Sequence, residues 1–330
     1  MLSLGIPLLA GLAIAHALVP PHPGALAAIG FLKADVGRTI LYSLLIGFPT
    51  AIVAGPLFGR FIAGRVQVRP GDIAAQLGED QTRGEDGGST SLGNMAQRSQ
   101  SQQTVRRSLP GFAISVFTIL LPVLLMMAAS AADLVFDKQS VSRAWLDFFG
   151  HPTVAMLLAV LFSFYSFGTS LGFGKDDILR FSNDCLGPVA VVLLVVGAGG
   201  GFSKTLEFSG VGKAITAAVV GAQFSPILLG WVLAGLIRIA TGSTTVAIST
   251  AAGIMAPIAA AVPSTNLELL VIAMGAGALI FSHLNDGGFW FVKEYFNMTV
   301  PQTLKTWSVL TTIQSVVALL LVLLLDALLK

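Results

Sequence analysis

The chain has 330 residues, of which 54% are hydrophobic and only 11% charged, with a net charge of +2. A soluble domain carries roughly 25% charged residues. Water would reject this surface, so the chain is read as an all-α, polytopic membrane protein. The small net charge and the lack of a Lys/Arg stripe argue against nucleic acid as a partner. The single Cys185 excludes an intramolecular disulfide framework. No Cys/His cluster has zinc spacing and no His-Glu-x-x-His occurs, so neither a metal nor another cofactor is expected.

Met1 to Val19 is apolar and lacks Lys and Arg, the first basic residue being Lys33. A signal peptide needs a positive start, so the chain is expected to begin inside a membrane segment. A span of about 20 apolar residues crosses a bilayer, and Leu2–Val19 qualifies. It ends at Pro20-Pro21-His22-Pro23-Gly24, where prolines remove backbone donors and forbid helix. That break either presents carbonyls to a cavity or forms a rigid loop. His16 lies on an apolar helix and reads as a packed, hydrogen-bonded residue.

Further spans are expected at Thr39–Phe61, Phe112–Ala132, Thr153–Leu171 and Trp307–Leu325, with a shorter one at Leu267–Ser282. Gly64–Ser108 is rich in Gly, Ser and Gln and reads as a flexible linker. Arg60, Arg65 and Arg69 flank one end and Arg106 and Arg107 the other, which places the linker in the cytoplasm. The chain therefore divides into residues 1–63, a linker at 64–108, and a longer part at 109–330.

Leu186 to Val262 is apolar but interrupted by glycine and proline. It reads as a helical hairpin around Gly199–Gly210, a span near Pro226–Ile239, and a broken helix through Gly242. The hairpin would be shaped by Gly199, Gly200, Gly201, Gly210 and Gly212. Short, glycine-interrupted apolar segments point to a transporter binding site.

Two polar strings stand inside this apolar sequence. In Arg238-Ile-Ala-Thr241-Gly-Ser243-Thr244-Thr245, Gly242 can break the helix. Ser243, Thr244 and Thr245 would then sit at a fresh helix N-terminus, whose free N–H groups and dipole favour an anion. Arg238 adds a full charge with carboxylate-matching geometry. The plainer reading is hydroxyl packing between helices with a snorkelling Arg. The second string is Ser282-His283-Leu-Asn285-Asp286-Gly287-Gly288. An acid at membrane depth is a functional hypothesis by default, so Asp286 or His283 is the candidate proton carrier and Asn285 a polyol contact. The plainer reading is an interfacial Asn-Asp-Gly turn. A membrane-embedded enzyme would need a nucleophile–base pair, and none is found.

A faint internal echo links Leu12-Ala-Ile-Ala-His16 with Leu279-Ile-Phe-Ser-His283, each followed by an irregular turn. Chance in a Leu/Ala-rich chain explains it equally well.

These strings, taken together, resemble the gluconate permease family, the gluconate:proton symporters of bacteria. The matching stretches are Pro20–Gly24 with Tyr42–Phe61, Val196–Phe202 through Ser209–Gly212, Gly242-Ser243 with Thr250–Pro257, and Ser282–Trp290 with Lys293–Tyr295 and Thr303–Trp307. They cover nearly the whole chain outside the linker. The resemblance implies an inner-membrane symporter for gluconate or a similar sugar acid, with inverted repeats and re-entrant hairpins. Thr241 stands where the family often has Gln, and Gly287 where Ser is common. Family members carry further sequence before the position of Met1, so the first repeat is expected to be incomplete. A truncated, non-transporting remnant or a partner subunit is the alternative.

The expectation is a secondary carrier moving a small organic anion with protons, in contact with the bilayer and compatible with a homo-oligomer. Substrate contacts are expected at Arg238, Thr241, Gly242, Ser243, Thr244, Thr245, Asn285 and Asp286. The first break is expected at Pro20, Pro21, His22 and Pro23.

Overall fold

The computed structural model describes residues 2–66, 110–136, 140–184 and 224–330, with scattered positions between 186 and 209. The linker expected at 64–108 lies outside them from residue 67 on, as do Gly199, Gly200, Gly210 and Gly212 of the expected hairpin; Gly201 is helical.

The described residues are helical throughout. The first helix, α1 (Leu2–Leu18), stops at Val19–His22, and α2 (Pro23–Leu32) follows. The Pro20–Pro21 peptide is cis. Residues 19–22 are non-helical, as the proline cluster implies, but the helix restarts already at Pro23. Pro23 opens α2 at its first position, where a missing N–H costs nothing. Pro152 and Pro226 open α7 (Pro152–Ser163) and α9 (Pro226–Thr241) in the same way.

After α2 the chain turns into α3 (Val36–Ile52), which continues through a π turn at Val53–Leu57 into α4 (Phe58–Ala63). Pro56 lies within that turn, and a π turn absorbs the lost donor and the ring's clash with the preceding turn. Next come α5 (Phe112–Val135), α6 (Val141–Gly150), α7 with its π and 3₁₀ extension to Leu171, and α8 (Lys175–Asp184). The last part holds α9, α10 (Thr244–Ala261), α11 (Leu267–Gly277), α12 (Gly287–Tyr295) and α13 (Val300–Thr303). A π turn at Leu304–Ser308 then leads into α14 (Val309–Leu329).

Among the described residues six helical stretches are long and apolar enough to cross a membrane, ending with Thr244–Ala261 and Val300–Leu329. Their outer faces are apolar: Leu41, Leu44, Leu45 and Phe48 on α3 and Leu320, Leu324 and Leu328 on α14 are exposed. Lipid, unlike water, accepts such faces.

At the centre is α11. Leu269 through Gly277 are all buried, as expected of a helix apolar on every side. Glycines let its neighbours approach. A Cβ on Gly277 would lie 2.2 Å from the Trp231 carbonyl of α9, and one on Gly275 would lie 2.6 Å from the Ala17 carbonyl of α1. Ala28, Ile29 and Leu32 of α2 pack with Ala247, Ile248 and Ala251 of α10 in one core cluster. These contacts bring the α1–α2 break, the α9–α10 break and the end of α11 to one region.

Candidate functional site

The α9–α10 break is built by its own sequence. Gly242 takes φ +73°, a left-handed conformation open to glycine, and its N–H donates to the Arg238 carbonyl at 2.8 Å. Ser243 then caps α10, its Oγ accepting from Val246 N–H at 3.3 Å. The second break runs from the end of α11 to Asp286, which caps α12 by accepting the Gly288 N–H at 2.9 Å.

The two breaks are stitched together. Asn285 Nδ2 donates to the Ile239 carbonyl at 2.8 Å, and a ring N–H of His283 donates to the same oxygen at 3.2 Å. A Cβ at Gly242 would come within 2.2 Å of the Asn285 carbonyl oxygen. No side chain fits between these backbones.

Arg238, 5% exposed, sits in the last turn of α9 and reaches across to Asp286, 13% exposed. One guanidinium nitrogen donates to an Asp286 carboxylate oxygen and another to the Gly242 carbonyl. Its Nε is buried and has no hydrogen-bond partner among the described residues. The Asp286 oxygen that meets Arg238 also accepts from the Ser282 hydroxyl. Ser282 in turn accepts from Trp307 Nε1 at 2.6 Å, its N–H donates to Thr311 Oγ1 at 3.3 Å, and its carbonyl accepts from the Ser308 hydroxyl. The second break is thereby anchored to the start of α14.

Beside this pair lies a cavity of about 520 Å³, lined by His16, Arg238, Thr244, Asp286, Trp307 and Thr311 with apolar side chains from α1, α12 and the end of α11. Small-molecule sites span roughly 300–1,000 Å³, so the volume suits a small solute. Of the residues read as substrate contacts, Arg238, Thr244 and Asp286 line this cavity. Thr241, exposed, donates its hydroxyl to the Ile237 carbonyl at 2.8 Å. Gly242, Ser243, Asn285 and His283 build the seam instead. Thr245 faces His22, with 3.4 Å between Oγ1 and Nε2.

Of the Pro20, Pro21, His22 and Pro23 break, His22 is the polar element, and it stacks edge-on against His16 with ring centroids 4.1 Å apart. His16 is not the packed, hydrogen-bonded residue expected. Its ring opens on the cavity and makes no hydrogen bond among the described residues. A His six residues before another and next to a proline break was the available signal. Trp307, Ser282 and Thr311 were also missed as site residues. Only the need of an indole N–H for a partner at membrane depth could have hinted at them. Among the described residues no group of three His, Cys, Asp or Glu could hold a metal.

Comparison with known proteins places this geometry in context. The profile described as GntP family permease matches residues 1–328. A gluconate permease of Pseudomonas aeruginosa is 48% identical over 326 residues, 99% of this chain and 68% of its own length. The L-idonate transporter of the Gnt-II system of Escherichia coli is 36% identical over 329 residues, 100% of this chain and 69% of its own. The D-serine transporter of Escherichia coli is 33% identical over 319 residues, 97% of this chain and 66% of its own. No solved structure matches.

Proposed function

We propose, for a chain that belongs to the GntP family of permeases, uptake of gluconate or a related sugar acid together with protons across the bacterial inner membrane. Membership makes it a multi-pass membrane transporter and not an enzyme. The substrate is inferred from relatives named for gluconate and L-idonate.

The observation that carries the mechanism is the buried Arg238–Asp286 pair beside the cavity. A substrate carboxylate suits the guanidinium geometrically, but Asp286 already occupies it. Removing one partner from a buried pair costs about 3–5 kcal/mol, so the carboxylate cannot simply expel Asp286. A proton on Asp286 removes that competitor's charge, and the substrate carboxylate then replaces it on Arg238. Proton and anion binding become mutually favourable, which is thermodynamic linkage between two sites. One proton with one monovalent anion makes the step electroneutral, and extra protons let the membrane potential contribute.

Depth supports the reading. The 11 residues of α11 rise only about 16 Å, short of the ~30 Å hydrocarbon core. In this reading the break that follows so short a helix lies within the bilayer. Thr244 adds the N-terminal dipole of α10 to the cavity wall.

In this reading residues 1–63 belong to a first repeat, residues 64–108 form a cytoplasmic linker, and residues 109–330 make the second repeat with a re-entrant hairpin near Gly199–Gly212. One regularity supports it. The order helix, break, helix, long helix with a π turn occurs at α1–α4 and again at α11–α14. Such duplication is common in secondary carriers.

Uptake of radiolabelled gluconate by permease-deficient cells expressing the chain tests the proposal. Saturable uptake stimulated by an acid exterior is expected. Gluconate accumulation at wild-type rate in Arg238→Ala would refute the assigned site.

A further inference from the structure

We infer that His16 is the residue that recognises the hydroxyl groups of the substrate, held in place by His22. The inference rests on the anion-binding reading of the same cavity and assigns its other end.

The polar groups lining the cavity can be taken in turn. Asp286 spends one carboxylate oxygen on Arg238 and Ser282 and the other on the Gly288 N–H. Trp307 donates its only N–H to Ser282. Thr311 Oγ1 donates to the Ser308 carbonyl at 3.1 Å and accepts from Ser282. Thr244 Oγ1 donates to the Ala278 carbonyl at 3.4 Å. Arg238 gives two nitrogens to Asp286 and Gly242, and its third, Nε, is buried. His16 also lines the cavity, and alone among these side chains it makes no hydrogen bond among the described residues. A neutral imidazole offers one donor and one acceptor, and a hydroxyl needs both.

His22 is the positioning residue. Its Nδ1 accepts the Gly24 N–H at 3.2 Å. The remaining proton is then on Nε2, which faces Thr245 Oγ1. Held at both ends, the ring abuts His16 with centroids 4.1 Å apart and limits how that ring can turn. The rest of that wall is Leu9, Leu12 and Ala13 of the same helix, which cannot bind a polyol. The His16 side chain is exposed, so its ring nitrogens can stay hydrated when no hydroxyl meets them, and an acid without hydroxyls gains nothing at this end.

Equilibrium binding to the purified full chain in detergent tests the assignment, with gluconate and hexanoate as probes and thermal unfolding as a folding control. His16→Leu should weaken gluconate about tenfold, the scale of one lost hydrogen bond, while leaving hexanoate unchanged. His16→Gln, which keeps a donor and an acceptor, should restore most of the gluconate affinity. His22→Ala should reproduce part of the same gluconate-selective loss. Equal losses for both acids, or no loss of gluconate in His16→Leu, would overturn the assignment. If Arg238→Ala still abolishes binding of both acids in the latter case, the anion site survives without the His16 role. Wild-type protein indifferent to gluconate overturns the anion reading and the His16 assignment together.

Discussion

Arg238 and Asp286, 48 residues apart in sequence, form an ion pair where two helix breaks meet, and neither is more than 13% exposed. The pair joins the last turn of α9 to the N-cap of α12. It is a structural tie and, in the proposed mechanism, the group that a carboxylate substrate enters.

Asp286→Ala therefore leaves a buried guanidinium without its counter-charge. A loss of about 3–5 kcal/mol is expected, read as a lowered unfolding temperature in detergent. The double variant Arg238→Met with Asp286→Leu should recover much of that stability, since a buried pair replaced by apolar groups is often near neutral. Uptake should be absent in both. A double variant that transports would remove the pair from the mechanism.

Coupling can be separated from binding. In proteoliposomes, an acid exterior should drive gluconate accumulation by the wild type. Asp286→Asn keeps a hydrogen-bonding side chain but cannot carry the proton. It should retain gluconate exchange at equal pH on both sides and lose accumulation driven by the gradient. Gradient-driven accumulation that persists in this variant would move proton coupling to another group.

Gly242→Ala should abolish uptake. Its φ of +73° disfavours any L side chain, and the added Cβ would meet the Asn285 carbonyl oxygen at 2.2 Å. Strain of this kind alone costs about 1–3 kcal/mol, and the clash adds to it. Gly287→Ala is the control, since nothing lies within 4 Å of its added Cβ. Equal activity of the two variants would refute the close-approach account.

Trp307→Phe keeps the ring's bulk and deletes the N–H that reaches Ser282 at 2.6 Å. A loss of about 1 kcal/mol is expected, with KM for gluconate raised several-fold and expression unchanged. An unaltered KM would show that the Ser282 junction does not orient Asp286.

The sequence was most readable where glycine and proline punctuate it. The helix stop at Gly242 and the apolar spans follow from short-range chemistry: a left-handed cap and a run of lipid-compatible side chains. The second break lies earlier than expected, at residues 278–286, because the Asp286 Asx turn caps a helix that Gly287 and Gly288 open. Arg238 and Asp286 were visible as costly charges in apolar surroundings, though their mutual pairing was not. α2 escaped notice because the proline cluster reads as a barrier, whereas Pro23 is suited to the first turn of a helix. His16 looked like core because its neighbours are Ala and Ile. The cavity that it faces is made by α12 and α14, far away in the chain. Likewise, no local pattern announces that Trp307 serves Ser282, a pairing across 25 residues.

The Ile239 carbonyl receives both Asn285 and His283, and the Gly242 carbonyl receives Arg238. Pulling the two uncoiled stretches apart would strip these oxygens of donors where hydrocarbon has none to lend. In the proposed mechanism they therefore travel as one rigid body through the transport cycle. The opening and closing of the cavity falls to the elements around them.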